Sequence, residues 1–445
     1  MKKGQLISNI RRRKVKIAVI GLGHVGLPTA AIFANAGFRV IGADLNRDTG
    51  ATVSKGNDPY LEPGLGTIIK KSVKMGKLKT MTDSTMAVKE SDAVIVCVQT
   101  PLTEDKKPDL AYLKNACTAV AKGLSSGKLV VIESSVPPRT TKEVIAPLLE
   151  EKSGLRCGKD FWLAYCPERI APGKAIQEFV ENPRIVGGYN EESAEIAADL
   201  FRTVVKRDVL VADCINAEVA KLAENTFRDV NIAFANELAL ICEYLGADVI
   251  EVIRLTNTHP RVNVHRPGCG VGGPCLPKDP YLLLHGVEMT GFKSRVIGPS
   301  RELNDFMPEH TVELVVKALK EAGKNVERSK IAVLGVAYKE DVNDVNNSPA
   351  GRIIEKLRSL GAEVSVYDPY CGESFGGKKA ANILDAITDA ECMVICTGHK
   401  IIRELKMEKL KKFMGKNPAI IDGGRIINPV KAKKKGFRYY GIGHI

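Results

Sequence analysis

The chain has 445 residues, of which 44% are hydrophobic and 26% are charged, and it carries a formal net charge of +13. This length exceeds what one hydrophobic core serves, so we expect two or three domains of a soluble globular protein. No apolar run is long enough to cross a bilayer, and the basic residues 11–14 lack the apolar stretch of a secretory signal. We therefore expect a cytoplasmic protein with no membrane partner.

The eleven cysteines are odd in number and scattered, and no two pairs of them have the spacing of a zinc site. We therefore expect reduced thiols and no metal. The positive charge is compatible either with nucleic acid or with an anionic small substrate such as a sugar nucleotide. Because the lysines are spread out or concentrated in surface-like runs at 406–416 and 431–435, we expect no nucleic acid partner.

The first elements have the order of a dinucleotide-binding βαβ unit. A predicted strand at 15–20 is followed by the motif GLGHVG, a helix at 27–36 and a second strand at 38–43 that ends at Asp44. Glycines at these positions allow a tight turn and the close approach of a pyrophosphate to the helix N-terminus. An acid at Asp44 suits a ribose 2′-hydroxyl and repels a 2′-phosphate, so the pattern favours NAD over NADP. Arg47 either packs on the adenine or is exposed.

Three further predicted strands, at 93–98, 129–132 and 161–166, continue this domain. Thr100 and Ser135 follow the first two, at the sheet edge where ligands of open α/β folds bind. Each residue is a candidate for contacting the cofactor, and each is equally well explained as a turn or cap residue. Glu168 and Arg169 follow the third strand, where they form either a surface ion pair or part of a site. The residues predicted to bind the cofactor are Gly21, Gly23, Val25, Gly26, Asp44, Arg47, Thr100 and Ser135.

A long helix is predicted over 217–245, where the chain has neither glycine nor proline. Lys221, Asn225 and Arg228 share one face of it because they are spaced at i, i+4 and i+7. This stripe is either solvated or lies on a central packing helix, where a partly desolvated lysine suits acid–base chemistry.

Residues 268–279 are predicted to form a loop, because four glycines and two prolines exclude an ordinary helix or an interior strand. Cys275 is near its end, followed by Lys278 and Asp279. A thiol becomes a nucleophile when a cation or backbone N–H groups favour its thiolate. The alternative is that Cys275 is a small buried apolar residue, as most cysteines outside disulfides are.

The last part of the chain repeats the α/β pattern without a glycine motif. Strands are predicted at 330–336, 362–367, 393–396 and 419–421, with a helix at 348–360. Lys339 and Arg425 follow strands, where they could meet a substrate phosphate or sugar. The expected fold is therefore α/β, with two Rossmann-like domains joined by a long central helix and a helical middle domain. We expect domain boundaries at 1–212, 213–325 and 326–445.

Taken together, these segments resemble the UDP-glucose/GDP-mannose dehydrogenase family from about Lys14 to the C-terminus. Several motifs carry the resemblance, and in chain order they are GLGHVGLPTA, ESSVPPRTT, YCPERIAPGKAI, AEVAKLAENTFRDVNIAFANELA, HPRVNVHRPGCGVGGPCLPKDP and the SPA and YDP pieces of the last domain. In combination they are far more specific than the dinucleotide motif.

The resemblance implies a reaction in which NAD twice takes hydride from C6 of a UDP-sugar. Cys275 would add to the intermediate aldehyde as a thiohemiacetal and then carry a thioester that water hydrolyses. The implied catalytic residues are Cys275, Lys221, Asn225, Glu168 and Asp279, with Lys221 as acid–base and Asp279 orienting Lys221 or the water. The implied substrate-binding residues are Arg169, Ile170, Lys221, Asn225, Arg228, His259, Arg261, Gly272, Tyr338, Lys339 and Arg425. Arg261 would reach in from a neighbouring subunit, which implies a homodimer or a dimer of dimers.

Within the family, the segments CPERIAPGK and HPRV are similar to the branch that acts on UDP-N-acetylhexosamines, in particular UDP-N-acetyl-D-mannosamine. UDP-glucose enzymes typically carry a PEFLREG-type segment, whose second glutamate falls on Pro172 here, whereas the CLPKD tail looks more like that glucose branch. The alternatives are a UDP-N-acetylglucosamine or UDP-glucose 6-dehydrogenase, a one-hydride dehydrogenase in which Cys275 is structural, and a non-catalytic sensor. The glycan pathway, whether cell-surface polysaccharide biosynthesis or protein glycosylation, stays open.

One position departs from the family pattern. The family usually has an arginine two residues before the Ser-Pro of the last domain, and this chain has Asn346. A neutral amide cannot replace the charge and bidentate geometry of a guanidinium. Cofactor affinity is then weaker, or another cation such as Lys339 or Arg352 substitutes, or the contact is absent.

Overall fold

The computed structural model describes residues 2–444 of the chain. These residues form two compact units, each built on a mainly parallel β-sheet. The first unit extends to Glu224 and includes Tyr281–Phe292, and the second comprises Asn225–Pro280 and the chain from Lys293 onward. None of the helices in residues 2–444 is both long enough and apolar enough to cross a membrane.

An eight-stranded sheet forms the centre of the first unit. Its strands are β1 (Lys16–Ile20), β2 (Arg39–Ala43), β3 (Leu78–Met81), β4 (Ala93–Val96), β5 (Leu129–Ile132), β6 (Trp162–Tyr165), β7 (Arg184–Gly188) and β8 (Val209–Asp213). They are arranged in the order β3-β2-β1-β4-β5-β6-β7-β8, and all neighbours are parallel except β6 and β7. The first six follow the 3-2-1-4-5-6 order of dinucleotide-binding folds.

Helices cover this sheet, and the sequence explains why they must. All four residues of β4 and all four of β5 are apolar and buried, as expected for parallel strands covered on both faces. The covering helices are α1 (Lys3–Arg11), α2 (Gly26–Asn35), α3 (Arg47–Ser54), α4 (Leu65–Lys74), α5 (Ser84–Lys89), α6 (Ala111–Gly123), α7 (Ala146–Ser153), α8 (Ala175–Glu181) and α9 (Glu191–Arg202), with a π-helical turn at Thr140–Ile145 before α7. Phe33 of α2 packs edge-on against Phe38 and Phe201, with ring centroids 5.7 and 5.8 Å away.

The predicted long helix is present as α10 (Cys214–Leu245), with 32 residues and a length of about 48 Å. It begins three residues before the predicted start at 217. The cause is Asp213, whose Oδ1 accepts a hydrogen bond from the N–H of Ile215 at 2.9 Å and so satisfies a donor of the first turn.

A second sheet, of six strands, forms the centre of the second unit. Its strands are β9 (Lys330–Leu334), β10 (Glu363–Tyr367), β11 (Lys378–Lys379), β12 (Cys392–Ile395), β13 (Ala419–Asp422) and β14 (Arg438–Gly441). All neighbours are parallel, in the order β11-β10-β9-β12-β13-β14. This order repeats that of β1 to β6 in the first sheet.

The helices that follow α10 are α11 (Val249–Thr256), α12 (Asp279–His285), α13 (Ile297–Glu321), α14 (Pro349–Ser359), α15 (Ile383–Ile387), α16 (Lys400–Arg403), α17 (Met407–Phe413) and α18 (Pro429–Lys434), with a 3₁₀ turn at Glu288–Thr290. The predicted fold class is confirmed, because two Rossmann-like sheets and a long helix between them in the chain are all present. The predicted loop at 268–279 is confirmed up to Lys278, and Asp279 begins α12.

Candidate active site

The glycine turn after β1 leaves room for a dinucleotide phosphate. Gly21 has a φ of +90°, and a Cβ there would lie 2.6 Å from the backbone oxygen of Cys97. A Cβ at Gly26 would lie 1.9 Å from the backbone oxygen of Gly21, so α2 starts in direct contact with the turn. A Cβ at Gly23 would meet nothing within 4 Å, and Val25 precedes the first residue of α2. These residues fit a pyrophosphate held at the N-terminus of α2.

Asp44 is held at the carboxyl end of β2 beside this turn. Its Oδ2 accepts from the N–H of Leu22 at 2.6 Å, and its Oδ1 accepts from the N–H of Asn46 at 2.8 Å. A carboxylate in this position accepts from the ribose hydroxyls of NAD and repels the 2′-phosphate of NADP. Arg47 is exposed at the start of α3, which agrees with one of its two predicted fates.

Thr100 and Ser135 lie together after β4 and β5. The Oγ1 of Thr100 donates to the backbone oxygen of Ser135 at 2.6 Å, and Thr100 is buried. Ser134 makes a similar bond, because its Oγ donates to the backbone oxygen of Val98 at 2.6 Å. Both hydroxyls tie the two strand ends together, which supports the turn-and-cap interpretation for Thr100. A cofactor contact for Thr100 and Ser135 stays a prediction.

A buried ion pair at the same edge was missed by the sequence analysis. Arg184 Nη1 lies 3.4 Å from Glu133 Oε1, and the two side chains are 1% and 0% exposed. Glu133 Oε2 accepts from Thr29 Oγ1 at 3.1 Å and from Cys97 Sγ at 3.0 Å. Burial raises the pKa of Glu133, and the charge of Arg184 opposes that shift.

Arg184 connects this pair to the loop that carries Glu168. Its Nη1 also donates to the backbone oxygen of Pro167 at 3.1 Å, and its guanidinium lies 3.9 Å above the ring of Phe179. Pro167 directly precedes Glu168. Because Glu133 and Arg184 are 51 residues apart in the chain, no local motif reveals the pair.

Glu168 and Lys221 form a nearly buried ion pair in the first unit. Glu168 Oε2 lies 3.3 Å from Lys221 Nζ, and the side chains are 12% and 5% exposed. The other oxygen of Glu168 accepts from the N–H of Ile170. The predicted desolvation of Lys221 is therefore present, and a carboxylate and an ammonium so close can exchange a proton with a bound hydroxyl.

Arg169 forms an ion pair with Glu224. Its Nη2 lies 2.7 Å from Glu224 Oε1, and its Nη1 donates to the backbone oxygen of Pro183 at 2.6 Å. The side chain is 26% exposed, so it keeps access to solvent. Substrate binding by Arg169 and by the neighbouring half-buried Ile170 stays a prediction.

In the second unit, the buried side chain of Asp279 has a partner that the sequence analysis did not consider. Asn225 Nδ2 donates to Asp279 Oδ2 at 2.5 Å, and Arg228 Nη2 donates to Asn225 Oδ1. Because the amide of Asn225 bridges a cation and a carboxylate, its orientation is set from both sides.

Cys275 closes a tight turn immediately before α12. Its backbone oxygen accepts from the N–H groups of Lys278 at 3.0 Å and Asp279 at 2.8 Å, and its side chain is half-buried. Lys278 Nζ lies 3.9 Å from Asp279 Oδ1, so the charge of this lysine is partly balanced by Asp279.

The middle of the same loop packs on the segment after β9. A Cβ at Gly272 would lie 2.8 Å from Tyr338 Cβ, and Gly273 has a φ of +93°. The N–H of Gly273 donates to the backbone oxygen of Asn346 at 2.8 Å, and Asn347 Nδ2 donates to the oxygen of Gly273 at 3.1 Å. Burial raises the pKa of Tyr338. The structure therefore brings the predicted residues Gly272 and Tyr338 together.

Asn346 uses its own side chain locally, donating through Nδ2 to Asp344 Oδ1 at 2.7 Å. Of the two cations considered as substitutes for the family arginine, Lys339 is exposed, and Arg352 Nη1 donates to the backbone oxygen of Asp305 at 3.2 Å. A cofactor contact by Arg352 would compete with this bond.

Arg425 is held by two contacts in the second unit. Its Nη2 lies 2.7 Å from Asp248 Oδ2, and its Nη1 donates to the backbone oxygen of Ile442 at 3.1 Å. His259 and Arg261 are exposed, with the N–H of Arg261 donating to His259 Nδ1 at 3.3 Å. The structure therefore leaves these two residues accessible, and it ties Arg425 into the second unit.

Three family models match consecutive parts of the chain. They are the NAD binding domain of the UDP-glucose/GDP-mannose dehydrogenase family at residues 15–205, its central domain at 215–306 and its UDP binding domain at 332–429. Together these matches extend over most of the chain.

Known proteins resemble the chain over nearly its whole length. A UDP-N-acetyl-D-mannosamine dehydrogenase of Pyrococcus horikoshii is 43% identical over 96% of this chain and 99% of its own. The structure of UDP-D-ManNAc dehydrogenase from that organism has a TM-score of 0.90 at 42% identity, covering 96% of this chain and 99% of its own. The NDP-N-acetyl-D-galactosaminuronic acid dehydrogenase of Methanosarcina mazei has a TM-score of 0.88 at 37% identity, covering 100% of this chain and 98% of its own.

Proposed function

Because the chain belongs to the UDP-glucose/GDP-mannose dehydrogenase family, we propose that it oxidises C6 of UDP-N-acetyl-D-mannosamine to UDP-N-acetyl-D-mannosaminuronate. The observation that carries this proposal is the near full-length similarity to the P. horikoshii dehydrogenase of that substrate. Conversion of an alcohol to a carboxylate removes four electrons. Two NAD molecules, bound one after the other, would each accept one of the two hydrides that leave C6.

Cys275 is the proposed nucleophile. After the first oxidation its thiolate adds to the C6 aldehyde, so that the sugar is held as a thiohemiacetal. The second oxidation converts this adduct to a thioester, and attack of water on the thioester carbonyl releases the carboxylate and restores the thiol. A half-buried thiol in a turn held by backbone hydrogen bonds supports this role.

Lys221 and Glu168 are the proposed acid–base pair. At 3.3 Å from each other, the two groups can pass a proton between them. Lys221 takes the proton of the C6 hydroxyl or stabilises the negative oxygen that forms on C6. Asn225 lies one turn further along α10, and a hydrogen bond from its amide to the same oxygen is part of the proposal, as is the role of Asp279 in orienting that amide.

The remaining proposed contacts bind the nucleotide sugar. For Arg425, the proposal is supported by its position shortly after β13, at the carboxyl end of a parallel strand, where ligands of open α/β folds bind. The proposed set also includes Arg169, Ile170, Arg228, His259, Arg261, Gly272, Tyr338 and Lys339.

Measurement of NADH release tests the reaction. With UDP-N-acetyl-D-mannosamine, we expect two NADH per sugar and a uronate product. Cys275→Ser should abolish acid formation, whereas Cys371→Ser, at a buried cysteine of the same unit, should retain it. One NADH per sugar with aldehyde as the end product, or full turnover by Cys275→Ser, would instead identify a one-hydride dehydrogenase. Tight binding of both ligands without turnover would identify a sensor.

A second candidate substrate is the N-acetylgalactosamine epimer, which the similarity to the M. mazei protein favours. The same assay with UDP-N-acetylgalactosamine, UDP-N-acetylglucosamine and UDP-glucose separates the candidates. We expect kcat/KM to be highest for UDP-N-acetyl-D-mannosamine. A higher value for any of the other three sugars would identify that sugar as the substrate instead.

We also propose a homodimer formed through α10. Phe227, Phe234 and Ile241 are spaced by seven residues on this helix and are 64%, 52% and 47% exposed, which supports an apolar contact with a second copy. Phe234→Glu should halve the mass measured by light scattering, whereas an unchanged mass would place the contact elsewhere.

The dimer proposal includes Arg261 acting across the interface. Mixing Cys275→Ser and Arg261→Ala subunits should then restore about a quarter of wild-type activity, because half of the dimers are mixed and one of their two sites is complete. No restoration would show that Arg261 acts within its own subunit. A further assembly into a dimer of dimers would double the mass again.

The three-domain division at 1–212, 213–325 and 326–445 is likewise proposed. It is supported by the consecutive matches of three domain models. Limited proteolysis should cut first near residue 325, in the connection between α13 and β9. We also propose a cytoplasmic location, which the eleven scattered cysteines support, and cell fractionation tests it.

A further inference from the structure

Four buried polar side chains connect α10 and α13 in the second unit. Asp229, Asn236, Arg301 and Asn304 are all no more than 1% exposed. The Nη1 of Arg301 donates to Asp229 Oδ1 at 2.5 Å, and Asn304 Nδ2 donates to the same oxygen at 2.9 Å. Asn236 Nδ2 donates to Asn304 Oδ1 at 2.9 Å. We call these four side chains the amide relay.

The amide relay ends on the loop that carries Cys275. Asn236 Oδ1 accepts from the backbone N–H of Gly268 at 2.9 Å. Gly268 is the first residue of the glycine-rich part, 268–278, of the longer non-helical segment between α11 and α12. The other end of the loop is held by the bond from Asn225 to Asp279 at 2.5 Å. Two asparagines of α10 thus anchor the loop at its two ends.

The direction of the bonds in the amide relay is fixed at both ends, because Asp229 can only accept through its carboxylate and its backbone oxygen, and the N–H of Gly268 can only donate. An ionised carboxylate can only accept, so Asn304 must turn its amide nitrogen toward Asp229 and its oxygen toward Asn236. Asn236 must then donate to Asn304 and present its own oxygen to Gly268. Arg301 balances the charge of Asp229 in the buried site. Either amide in the opposite orientation would leave two donors or two acceptors facing each other.

A glycine-rich loop needs such anchors. Glycine has more backbone freedom than any other residue, so ordering this segment costs more conformational entropy than ordering an average loop. A nucleophile loses much of its rate when it is misplaced by as little as 1 Å. Anchors at both ends restrict the positions that the backbone at Cys275 can reach.

We propose that the amide relay positions Cys275 for its attack on the C6 aldehyde, with Asn236 and Asn304 as positioning residues. This proposal rests on the proposed function, because it assigns the relay to the second oxidation, which requires the thiol. The first oxidation, from alcohol to aldehyde, does not require it.

Asn236→Ala and Asn304→Ala test the proposal. Asn304 is the sharper test, because its described side-chain bonds go to Asn236 and Asp229 and not to the loop. Val315→Ala is the matched control, since Val315 is fully buried on the same helix, three turns further along, and its truncation destabilises the unit without touching the relay. The two oxidations are measured separately, by supplying the alcohol or the aldehyde in a single turnover.

We expect both asparagine variants to slow aldehyde oxidation by roughly ten-fold or more, and to change alcohol oxidation by less than about two-fold. Val315→Ala should affect the two oxidations equally. Equal losses in both oxidations for Asn304→Ala, or no loss in either, would overturn the proposal.

Amide hydrogen exchange gives a readout that does not need turnover. The peptide that contains Gly268 should lose protection in Asn236→Ala and Asn304→Ala, and keep it in Val315→Ala. Wild-type protection in Asn304→Ala would overturn the relay. If the wild-type protein oxidised no UDP-sugar, the proposed function would fail while this experiment would still decide whether the amide relay holds the loop.

Discussion

Replacing Arg184 by methionine should destabilise the first unit, because it leaves Glu133 buried without its cation. Methionine keeps most of the side-chain length over Phe179 but removes the ion pair at 3.4 Å and the bond to Pro167 at 3.1 Å. Across 3.4 Å, at an effective dielectric constant of about 20, two unit charges attract by about 5 kcal/mol. Removing one partner of a buried pair typically costs about 3–5 kcal/mol, so we expect a loss in this range near neutral pH.

The loss should depend on pH, and its sign follows from the pKa of Glu133. This pKa is already raised above 4.5 by burial, and without the guanidinium it rises further. A raised pKa means that the folded protein favours the neutral form of Glu133. The contribution of Glu133 to stability is therefore present below pH 4.5 and is lost as the pH rises through the pKa of Glu133 in the folded protein. Arg184→Met should therefore be least destabilised at acid pH and most destabilised at neutral and alkaline pH.

Urea unfolding followed by circular dichroism, at about pH 5 and about pH 8, measures this difference. The double variant Glu133→Gln/Arg184→Met should recover most of the lost stability, because it removes both charges. Arg202→Met is the control, since Arg202 pairs with Asp199 while half exposed and should lose less than about 1 kcal/mol. A loss that is independent of pH, or a double variant no more stable than the single one, would refute the argument.

Three further changes test other parts of the first unit. Asp44→Asn should raise the KM for NAD roughly ten-fold and reduce the ratio of kcat/KM for NAD to that for NADP. An unchanged ratio in steady-state kinetics would contradict the role proposed for Asp44. Gly26→Ala should abolish NAD binding in calorimetry, because its Cβ would lie 1.9 Å from the backbone oxygen of Gly21; retained affinity would show that the turn can move. Burial raises the pKa of Glu218 to about 7, although its carboxylate accepts from the N–H of Thr141 at 2.8 Å. The stabilising contribution of Glu218 is present below pH 4.5 and is lost as the pH rises through about 7. The free energy of unfolding of Glu218→Gln should therefore rise by up to about 3 kcal/mol relative to that of the wild type between about pH 5 and pH 8. Urea unfolding that gives the same difference in this free energy at both pH values would contradict the prediction.

Part of each sheet could be predicted because the signals of its strands are local, whereas β3, β7, β8, β11 and β14 were not predicted. The strands at 93–96 and 129–132 are short apolar runs, and the long helix has no glycine or proline over thirty residues. Gly21 and Asp44 were recognisable because each belongs to a motif of fixed spacing. Boundary differences of one to three residues arise where a side chain outside the periodic pattern, such as Asp213, satisfies a backbone donor.

The supporting partners of the candidate site could not be predicted, because their signals are not local. Glu133 and Arg184 are 51 residues apart, and Asn236 and Asn304 are 68 apart. Each of these side chains looks in the sequence like an ordinary polar residue of a strand end or a helix. Only the packing of the helices and strands shows that these side chains are buried and that each forms a hydrogen bond or ion pair with another.

The two anchors of the Cys275 loop stand eleven residues apart on α10, which is close to three full turns and a rise of about 16 Å along the axis. The spacing of Asn225 and Asn236 on the helix therefore sets the distance between the two anchored points of the loop. The ends of the segment are set by α10, whereas the composition between them is not. A loop of equal length taken from a relative with another sugar preference could be grafted between Gly268 and Asp279 while both anchors stay in place. Insertion or deletion of a residue in α10 between Asn225 and Asn236 would turn one anchor by about 100° and release the loop.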